Sequence, residues 1–378
     1  MTLPMSGTAT RFRLHGPVSR IETEGCLAQL PPGPARTLGA RVDAFFDGAR
    51  ASTPLVGALP FDPHEDDALY QPLRRLGTLP AGTHAAARVG HIHAEPTEAA
   101  YADAVARVVE RLRAADGDDA LRKLVLARSL RMDCLADADP LALALRLGDD
   151  PSVTSYVVPL PVEAGEAPAW LVGATPELLV SRRGRQVLSH PLAGSARRQA
   201  DPVADAAAAD ALLGSVKDLD EHRYVVEAIV EALAPLCSQL HAPARPALHA
   251  TATMWHLGTR IEGTLKDPAT SAAALAGLLH PTPAVCGTPR LPALEAIRTL
   301  EPVPRGFYAG AVGWSDAQGD GDWYVSIRCA RVQGRVLRLY AGAGIVAASQ
   351  PSAEVEETSA KFMALLNALG LGEATAAA

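Results

Sequence analysis

Clustered cysteine is missing from this chain. Its five cysteines (Cys26, Cys134, Cys237, Cys286, Cys329) lie far apart and none forms a C-x-x-C pair, which argues against a thiolate metal site or a redox motif. An odd, scattered set fits buried free thiols in a reducing compartment. Long apolar runs are missing too. None approaches the roughly 20 residues that a membrane-spanning helix needs, and Met1 to Arg11 hold no apolar signal core. Excess positive charge is also absent: the formal net charge is -7 and the pI is near 5.9. An acidic balance gives no general reason to bind nucleic acid or an anionic membrane, so an anionic ligand has to be held by a few local cations. No Gly-x-Gly-x-x-Gly follows an early strand, so there is no dinucleotide fingerprint. No His-x₃-His or cysteine-rich spacing points to zinc. There is no internal repeat and no long linker. A soluble, cytoplasmic protein is expected.

What is present is a large apolar fraction, 48% of 378 residues, enough for one big domain or two intimately packed halves. Residues 1–95 read as irregular structure with short strands, punctuated by Pro31-Pro-Gly-Pro and Pro60-Phe-Asp-Pro, and as the N-terminal part of a sheet scaffold. Residues 96–372 carry the clearer pattern and form the core of a single packed domain, with 373–378 as a disordered tail. Helical spacing covers 41–48, 97–115 (Thr97 as N-cap), 140–147, 203–213, 217–236, 272–279 and 291–300. Strand patterns cover 121–130, 153–160, 170–173, 177–182, 186–190, 254–263, 309–315, 323–332 and 335–341. Asp316 to Gly321 and Gln333-Gly334 make hairpin turns between the last three. Consecutive hairpins with segregated helices give an α+β class: large antiparallel sheets packed face to face, helices outside.

Several residues could carry chemistry. Lys123 opens an apolar strand, and a lysine whose head enters a dry pocket can act as a base. Gly173-Ala-Thr-Pro-Glu177 is a tight turn that aims Glu177 in a fixed direction, and a desolvated glutamate can serve as a general acid. Asp218, Glu221, His222 and Val225 fall on one stripe of the long helix at 217–236. Pro191 to Arg198 reads as a basic loop in which Gly194 and Ser195 offer hydrogen bonds. Near the end, Arg328 sits on a strand, and Tyr340 to Val346 reads as a strand turning into a glycine-rich bend with free amides at Gly342 and Gly344. Glu354, Glu357, Thr358 and Lys361 then share one helix face. A strand cation, backbone amides and carboxylates from two helices (Glu221 and Glu357) suit a dianionic ligand with a hard metal ion, Mg²⁺. The plainer reading of that last face is an exposed Glu357–Lys361 ion pair.

The motifs occur in a telling order: Lys123-Leu-Val-Leu-Ala-Arg, Gly173-Ala-Thr-Pro-Glu, Pro191-Leu-Ala-Gly-Ser, Lys217-Asp-x-x-Glu-His, His256-Leu-Gly-Thr, His280-Pro-Thr-Pro-Ala, Gly310-x-x-Gly-Trp, Ile327-Arg-Cys-Ala, Ala341-Gly-Ala-Gly-Ile-Val and Glu354-x-x-Glu-Thr-x-x-Lys. This series closely resembles the chorismate-utilising enzymes, firmly over residues 97–370 and loosely before them. The resemblance implies two α/β halves whose antiparallel sheets form a sandwich, Mg²⁺ dependence, and chorismate as substrate. It implies that Lys123 activates water for attack at C2 and that Glu177 protonates the departing C4 hydroxyl. Glu221 and Glu357 would hold Mg²⁺ with Glu354 close by. Arg328 and Lys361 would hold substrate carboxylates, helped by amides around Gly194 and Gly344.

Local wording points to one branch. Ala193 stands where aminodeoxychorismate synthases typically carry a nucleophilic lysine, and cannot attack. Ala284 stands where lyase branches usually have threonine. Pro191-Leu-Ala-Gly-Ser-Ala-Arg-Arg and Ile327-Arg-Cys-Ala resemble the isochorismate synthase wording, and the N-terminal region resembles the siderophore-pathway type. The resemblance thus implies an isomerase with no glutaminase subunit and with downstream pathway enzymes as candidate partners. The alternatives are a salicylate synthase, which goes on to expel pyruvate, and a non-catalytic chorismate-binding protein.

Overall fold

The protein is seen here in a computed structural model, which describes residues 10–48, 53–77, 87–117 and 120–372. The tail at 373–378 lies outside them.

Two large antiparallel sheets and one small one organise the described residues. The ten-stranded sheet runs Gly287–Thr288, Lys123–Cys134, Val336–Ile345, Cys329–Gln333, Ala169–Thr175, Thr154–Leu160, Phe12–His15, Arg20–Glu24 and Arg74–Arg75, and Val89–Glu95 also pairs with Lys123–Cys134. The nine-stranded sheet runs Cys237–His241, Ile261–Leu265, Gln186–His190, Leu178–Arg183, Gly321–Val325, Ala311–Ser315, Leu55–Leu59, Ala68–Gln71 and Ala28–Gln29. Leu192–Arg197, Met254–Gly258 and Ala247–Ala250 form the small sheet. The described part of 1–95 therefore feeds strands into both large sheets.

Burial explains the mixed sequence patterns. Leu55–Leu59, Thr154–Leu160 and Gly321–Val325 are buried at every position, so they read as continuous apolar runs instead of an alternation. Phe12, Leu14, Tyr156 and Leu171 of one sheet join Leu55, Tyr70, Val180 and Trp323 of the other in one apolar core. Trp323 is wholly buried, and its Nε1 donates to Ser315 Oγ at 3.2 Å, so the indole is enclosed without an orphaned donor. A second core joins Leu130, Met132, Val172 and Leu339 to Leu143 of the Pro140–Leu147 helix and Phe362 and Leu366 of the Pro351–Leu369 helix. Each such Leu or Phe contributes about 1.5–3 kcal/mol on full burial, and together they fasten the last helix to its sheet.

Many elements sit where the sequence puts them. Pro140–Leu147, Gln186–His190 and Ala272–Leu279 match to the residue, and Thr97 Oγ1 caps the Glu98–Ala114 helix by accepting from Ala100 N at 3.3 Å. Four readings need correction. The run 323–332 is two strands, Gly321–Val325 and Cys329–Gln333, in different large sheets. Both halves are buried and apolar, so the pattern hides the crossing at Ser326-Ile327-Arg328, where Arg328 adopts a left-handed φ of 48°. Likewise 254–263 is Met254–Gly258 and Ile261–Leu265, again in separate sheets. Residues 192–197 are a strand instead of a loop. The glycine-rich bend does not exist: Val336–Ile345 stays extended, with Gly342 opposite Ala127 and Gly344 opposite Val125.

Candidate active site

Lys123 begins its strand wholly buried, and its Nζ lies 3.0 Å from Glu221 Oε1. Glu221 is delivered by the Val216–Leu233 helix, which Ser215 caps by accepting from Asp218 N at 3.2 Å. One turn further in, His222 uses Nδ1 on Ala193 O at 3.1 Å and Nε2 on Thr259 Oγ1 at 2.7 Å, which ties the helix to the small sheet. Burial pulls the His222 pKa down to about 4, so the ring is neutral and serves as a brace. Gly194, at φ 80°, runs so close to this helix that a Cβ would lie 2.9 Å from Asp218 Cβ, a position only glycine fills without strain. A Cβ on Gly344 would lie 2.0 Å from Glu221 Oε1. That strand glycine is the notch into which the carboxylate fits. The carbonyl of Gly342 accepts from Lys361 Nζ at 3.0 Å, and ladder alternation turns the Gly342 and Gly344 amides to that same edge, away from Lys123–Cys134. The amides are therefore available, although the backbone is a strand and not a bend.

Glu177 leaves its turn into the same space. It is 2% exposed, and burial pushes its pKa up to about 8 against the opposing pull of the Leu192 amide, Lys123, Lys361 and Arg328. It therefore carries its proton at neutral pH, as a general acid must.

The last helix contributes a buried face instead of an exposed one. Glu354 and Thr358 are wholly shielded from solvent. Lys361 does pair with Glu357, which also accepts from Ser195 Oγ at 3.0 Å. Burial works to raise the Glu357 pKa, but Lys361 and Lys217 outweigh it and hold the carboxyl below its usual range. Glu354 differs. Lys217 Nζ is 3.1 Å from Glu354 Oε1, yet neither carboxylate oxygen makes a well-directed hydrogen bond. Burial, then the neighbouring Glu357, raises the Glu354 pKa to about 7.

Arg328 lines the cavity, with no carboxylate in contact among the described residues. Its Nη2 lies 3.4 Å from His256 Nε2, and burial lowers its pKa to about 10, so it remains a cation. Ala284 and Ala193 line the cavity beside Glu177, Gly194, Ser195, Glu221, Gly344 and Lys361. Lys123 reaches this lining through Glu221, and Glu357 through Ser195 and Lys361, whereas Glu354 stands behind it against Lys217. Sequence reading passed over others. His256, buried and kept neutral by that burial and by Arg328, was visible only as part of a motif. Tyr308 and Tyr340 stack at 4.8 Å and form a wall. Arg305, also buried, donates to Val285 O at 2.6 Å and Val125 O at 2.9 Å, and so ties the Ala284 loop to the Lys123 strand. Lys217 could have been found from its position four residues before Glu221 on the same stripe.

Residues 69–370 match the family model described as chorismate binding enzyme. The chain belongs to this family. It is 46% identical to the isochorismate synthase DhbC of Bacillus subtilis, over 89% of this chain and 86% of that one. It is 38% identical to the isochorismate synthase EntC of Escherichia coli K12, over 96% and 95%. A solved DhbC from Bacillus anthracis, described as 2,3-dihydroxybenzoate-specific, superposes with a TM-score of 0.89 at 42% identity, over 97% of this chain and 98% of that one.

For a chorismate-binding enzyme a bound Mg²⁺ is the implied cofactor, and the site's residues can be tested against it. Among the described residues no group of three or more His, Cys, Asp or Glu side chains is close enough to enclose a metal. A closed, all-protein cage is therefore absent. A hard cation held by one or two carboxylates, with water and substrate oxygens completing its shell, needs no such cage. Glu354, with both oxygens buried and no well-directed bond, and the notch at Gly344 that receives Glu221 are consistent with that open kind of site.

Proposed function

We propose that the protein is an isochorismate synthase: it converts chorismate to isochorismate, with Mg²⁺ as cofactor. The observation that carries this reading is a buried Glu177, its pKa raised by that burial, lining one small cavity, with a buried Lys123 joined to the cavity through Glu221, in a chain whose relatives are isochorismate synthases. Lys123 is the base that takes a proton from the water that bonds to C2. The ring double bonds shift, the C4–O bond breaks, and the hydroxyl leaves as water with the Glu177 proton. One water enters and one leaves, so the change is an isomerisation. Positioned acid and base groups are each worth about 10²–10⁴-fold in such steps.

Arg328 and Lys361, with the Gly194 and Gly344 amides and the Ser195 hydroxyl, bind and orient the substrate carboxylates. Ala193 offers no nucleophile, so water is left to attack. Ala284 adds a small side chain to the cavity lining. Glu221 and Glu357 hold Mg²⁺ with Glu354 beside them, and the ion supplies neutralisation of a dianionic substrate and of charge developing during the reaction. No helix among the described residues is long and apolar enough to cross a membrane, and a cytoplasmic enzyme of the siderophore-pathway type is the setting that fits this chemistry. Nucleic acid, membrane and a glutaminase subunit have no part in it.

Incubation with chorismate and Mg²⁺, followed by chromatography, tests the reading. The expected result is isochorismate in equilibrium with chorismate, unaffected by ammonia. Stoichiometric salicylate and pyruvate, or binding without turnover, would overturn it.

A further inference from the structure

Arg128 lies five residues after Lys123 and points to the other face of the strand, and the catalytic scheme does not use it. It is 2% exposed. Its Nε donates to Thr358 Oγ1 at 2.8 Å, and its Nη2 donates to Ser359 Oγ at 2.5 Å, to Glu98 Oε1 at 3.2 Å and to Val355 O at 3.4 Å. The guanidinium also lies 5.4 Å from the Phe362 ring centroid and 5.8 Å from that of Tyr101. Four of these six partners belong to the last helix, and all four fall between Glu354 and Phe362. A guanidinium in this place is expensive to desolvate, and an apolar side chain would pack there at lower cost. What a fork of donors adds is a fixed height for the helix along the strand.

The neighbouring rung of the ladder supplies a second fixed point. Arg128 is opposite Ala341 and Ala127 is opposite Gly342, and the Gly342 carbonyl accepts from Lys361 Nζ at 3.0 Å. The helix is thus pinned at Thr358 and again at Lys361, with Glu357 next to the first pin and Glu354 one turn before it. The Thr358 hydroxyl proton is shared between two carbonyls of its own helix, Val355 O at 2.9 Å and Glu354 O at 3.1 Å, so the bond from Arg128 is tied to the turn that carries Glu354. A metal ligand set tolerates errors of only a few tenths of an ångström, whereas each residue of helix slip moves a side chain by about 1.5 Å.

We propose that Arg128 is a positioning residue for the metal site: it sets the register of the last helix against the Lys123 strand and so places Glu354 and Glu357 for the cation. The inference rests on the reading of those glutamates as Mg²⁺ ligands.

The test is calorimetric titration of the metal-free full-length protein with Mg²⁺, well below each variant's melting temperature. Arg128→Met is expected to weaken Mg²⁺ binding about tenfold or more. Arg128→Lys, which keeps the charge but not the fork, is expected to recover only part of the loss. Thr358→Val, which removes one acceptor in a nearly isosteric way, is expected to weaken binding in the same direction by a smaller factor. A lowered melting temperature with an unchanged dissociation constant in Arg128→Met would show a purely structural role and overturn the proposal. Should Arg128→Met fail to fold, an unchanged constant in Thr358→Val overturns it equally. Glu357→Gln separates the two levels. If it weakens Mg²⁺ binding while the Arg128 and Thr358 variants do not, only the positioning role falls. If it has no effect, the ligand reading fails and this inference falls with it.

Discussion

Lys123 Nζ and Glu221 Oε1 lie 3.0 Å apart, and the two side chains are 0% and 7% exposed. Each is the other's compensation for burial, so the proposed base and a proposed Mg²⁺ ligand are coupled in the metal-free protein. Lys123→Ala removes the base and strands the carboxylate. Turnover is expected to fall by about 10²-fold or more. The metal-free variant should lose on the order of 3–5 kcal/mol of stability, the usual cost of breaking a buried pair from one side. Mg²⁺ should then raise the variant's melting temperature more than the parent's, because the cation replaces a lost counter-charge. Melting curves with and without Mg²⁺ check this. An equal Mg²⁺ response in both proteins would remove Glu221 from the metal site.

Glu177 predicts the basic limb of the pH profile. Its pKa of about 8 in the folded protein stands above the ordinary glutamate value of 4.5. As the acid, it must be protonated, so kcat/KM should fall as pH rises through about 8. The same shift has a stability consequence. The folded state holds this proton between pH 4.5 and 8 while the unfolded chain has released it. The group's contribution is complete below 4.5 and is lost as pH rises towards 8. Glu177→Gln needs no proton to stay neutral. It should abolish turnover and yet gain stability over the parent with rising pH, levelling off above about 8. A constant stability difference across that range would contradict the raised pKa.

The antiparallel class and most element boundaries were legible because period-2 and period-3.6 patterns survive burial on one face. They failed where both faces are buried. Between Trp323 and Val332 nothing in the residue types marks the change of sheet, because Tyr324, Val325, Cys329 and Ala330 are all shut inside. The glycines at 342 and 344 were misread for the opposite reason. Glycine pairs ordinarily signal a turn, but here they stay in a strand because Glu221 and Tyr308 crowd them, the Tyr308 hydroxyl standing 2.8 Å from where a Gly342 Cβ would be. Candidate site residues could be nominated as an ordered series of motifs. The couplings among them could not be. That Lys123 meets Glu221, or that Arg128 grips Thr358, depends on contacts between residues about 100 to 230 positions apart, which no local pattern encodes.

Gly344→Ala tests the notch directly. The added methyl would stand 2.0 Å from Glu221 Oε1 and 3.0 Å from Lys123 Cε, well inside van der Waals contact, and both neighbours are fixed in a packed interior. The backbone is an ordinary strand here, so the alanine itself is tolerated and the strain falls on the pair. Mg²⁺ affinity and turnover are expected to drop together, about tenfold or more, with a smaller loss of melting temperature. Retained Mg²⁺ affinity would mean that Glu221 binds no cation in the position that this notch defines.

If Glu354 sits beside the cation as proposed, Mg²⁺ binding should depend on pH through it. With a pKa near 7, raised by burial and by Glu357, it is mostly protonated at pH 6 and mostly ionised at pH 8. A hard cation takes the carboxylate form, so binding at pH 6 must expel the proton while binding at pH 8 need not. Titration calorimetry in two buffers of different ionisation enthalpy counts the protons: close to one released per ion at pH 6, close to none at pH 8. The apparent affinity should fall roughly tenfold for each pH unit well below 7. Glu177 also holds a proton in this range, so Glu354→Gln is the control. In that variant the release at pH 6 should vanish if Glu354 touches the ion or a water bound to it. If the release persists unchanged, the proton comes from elsewhere, and Glu354 is a buried acid beside Lys217 with no part in the metal site.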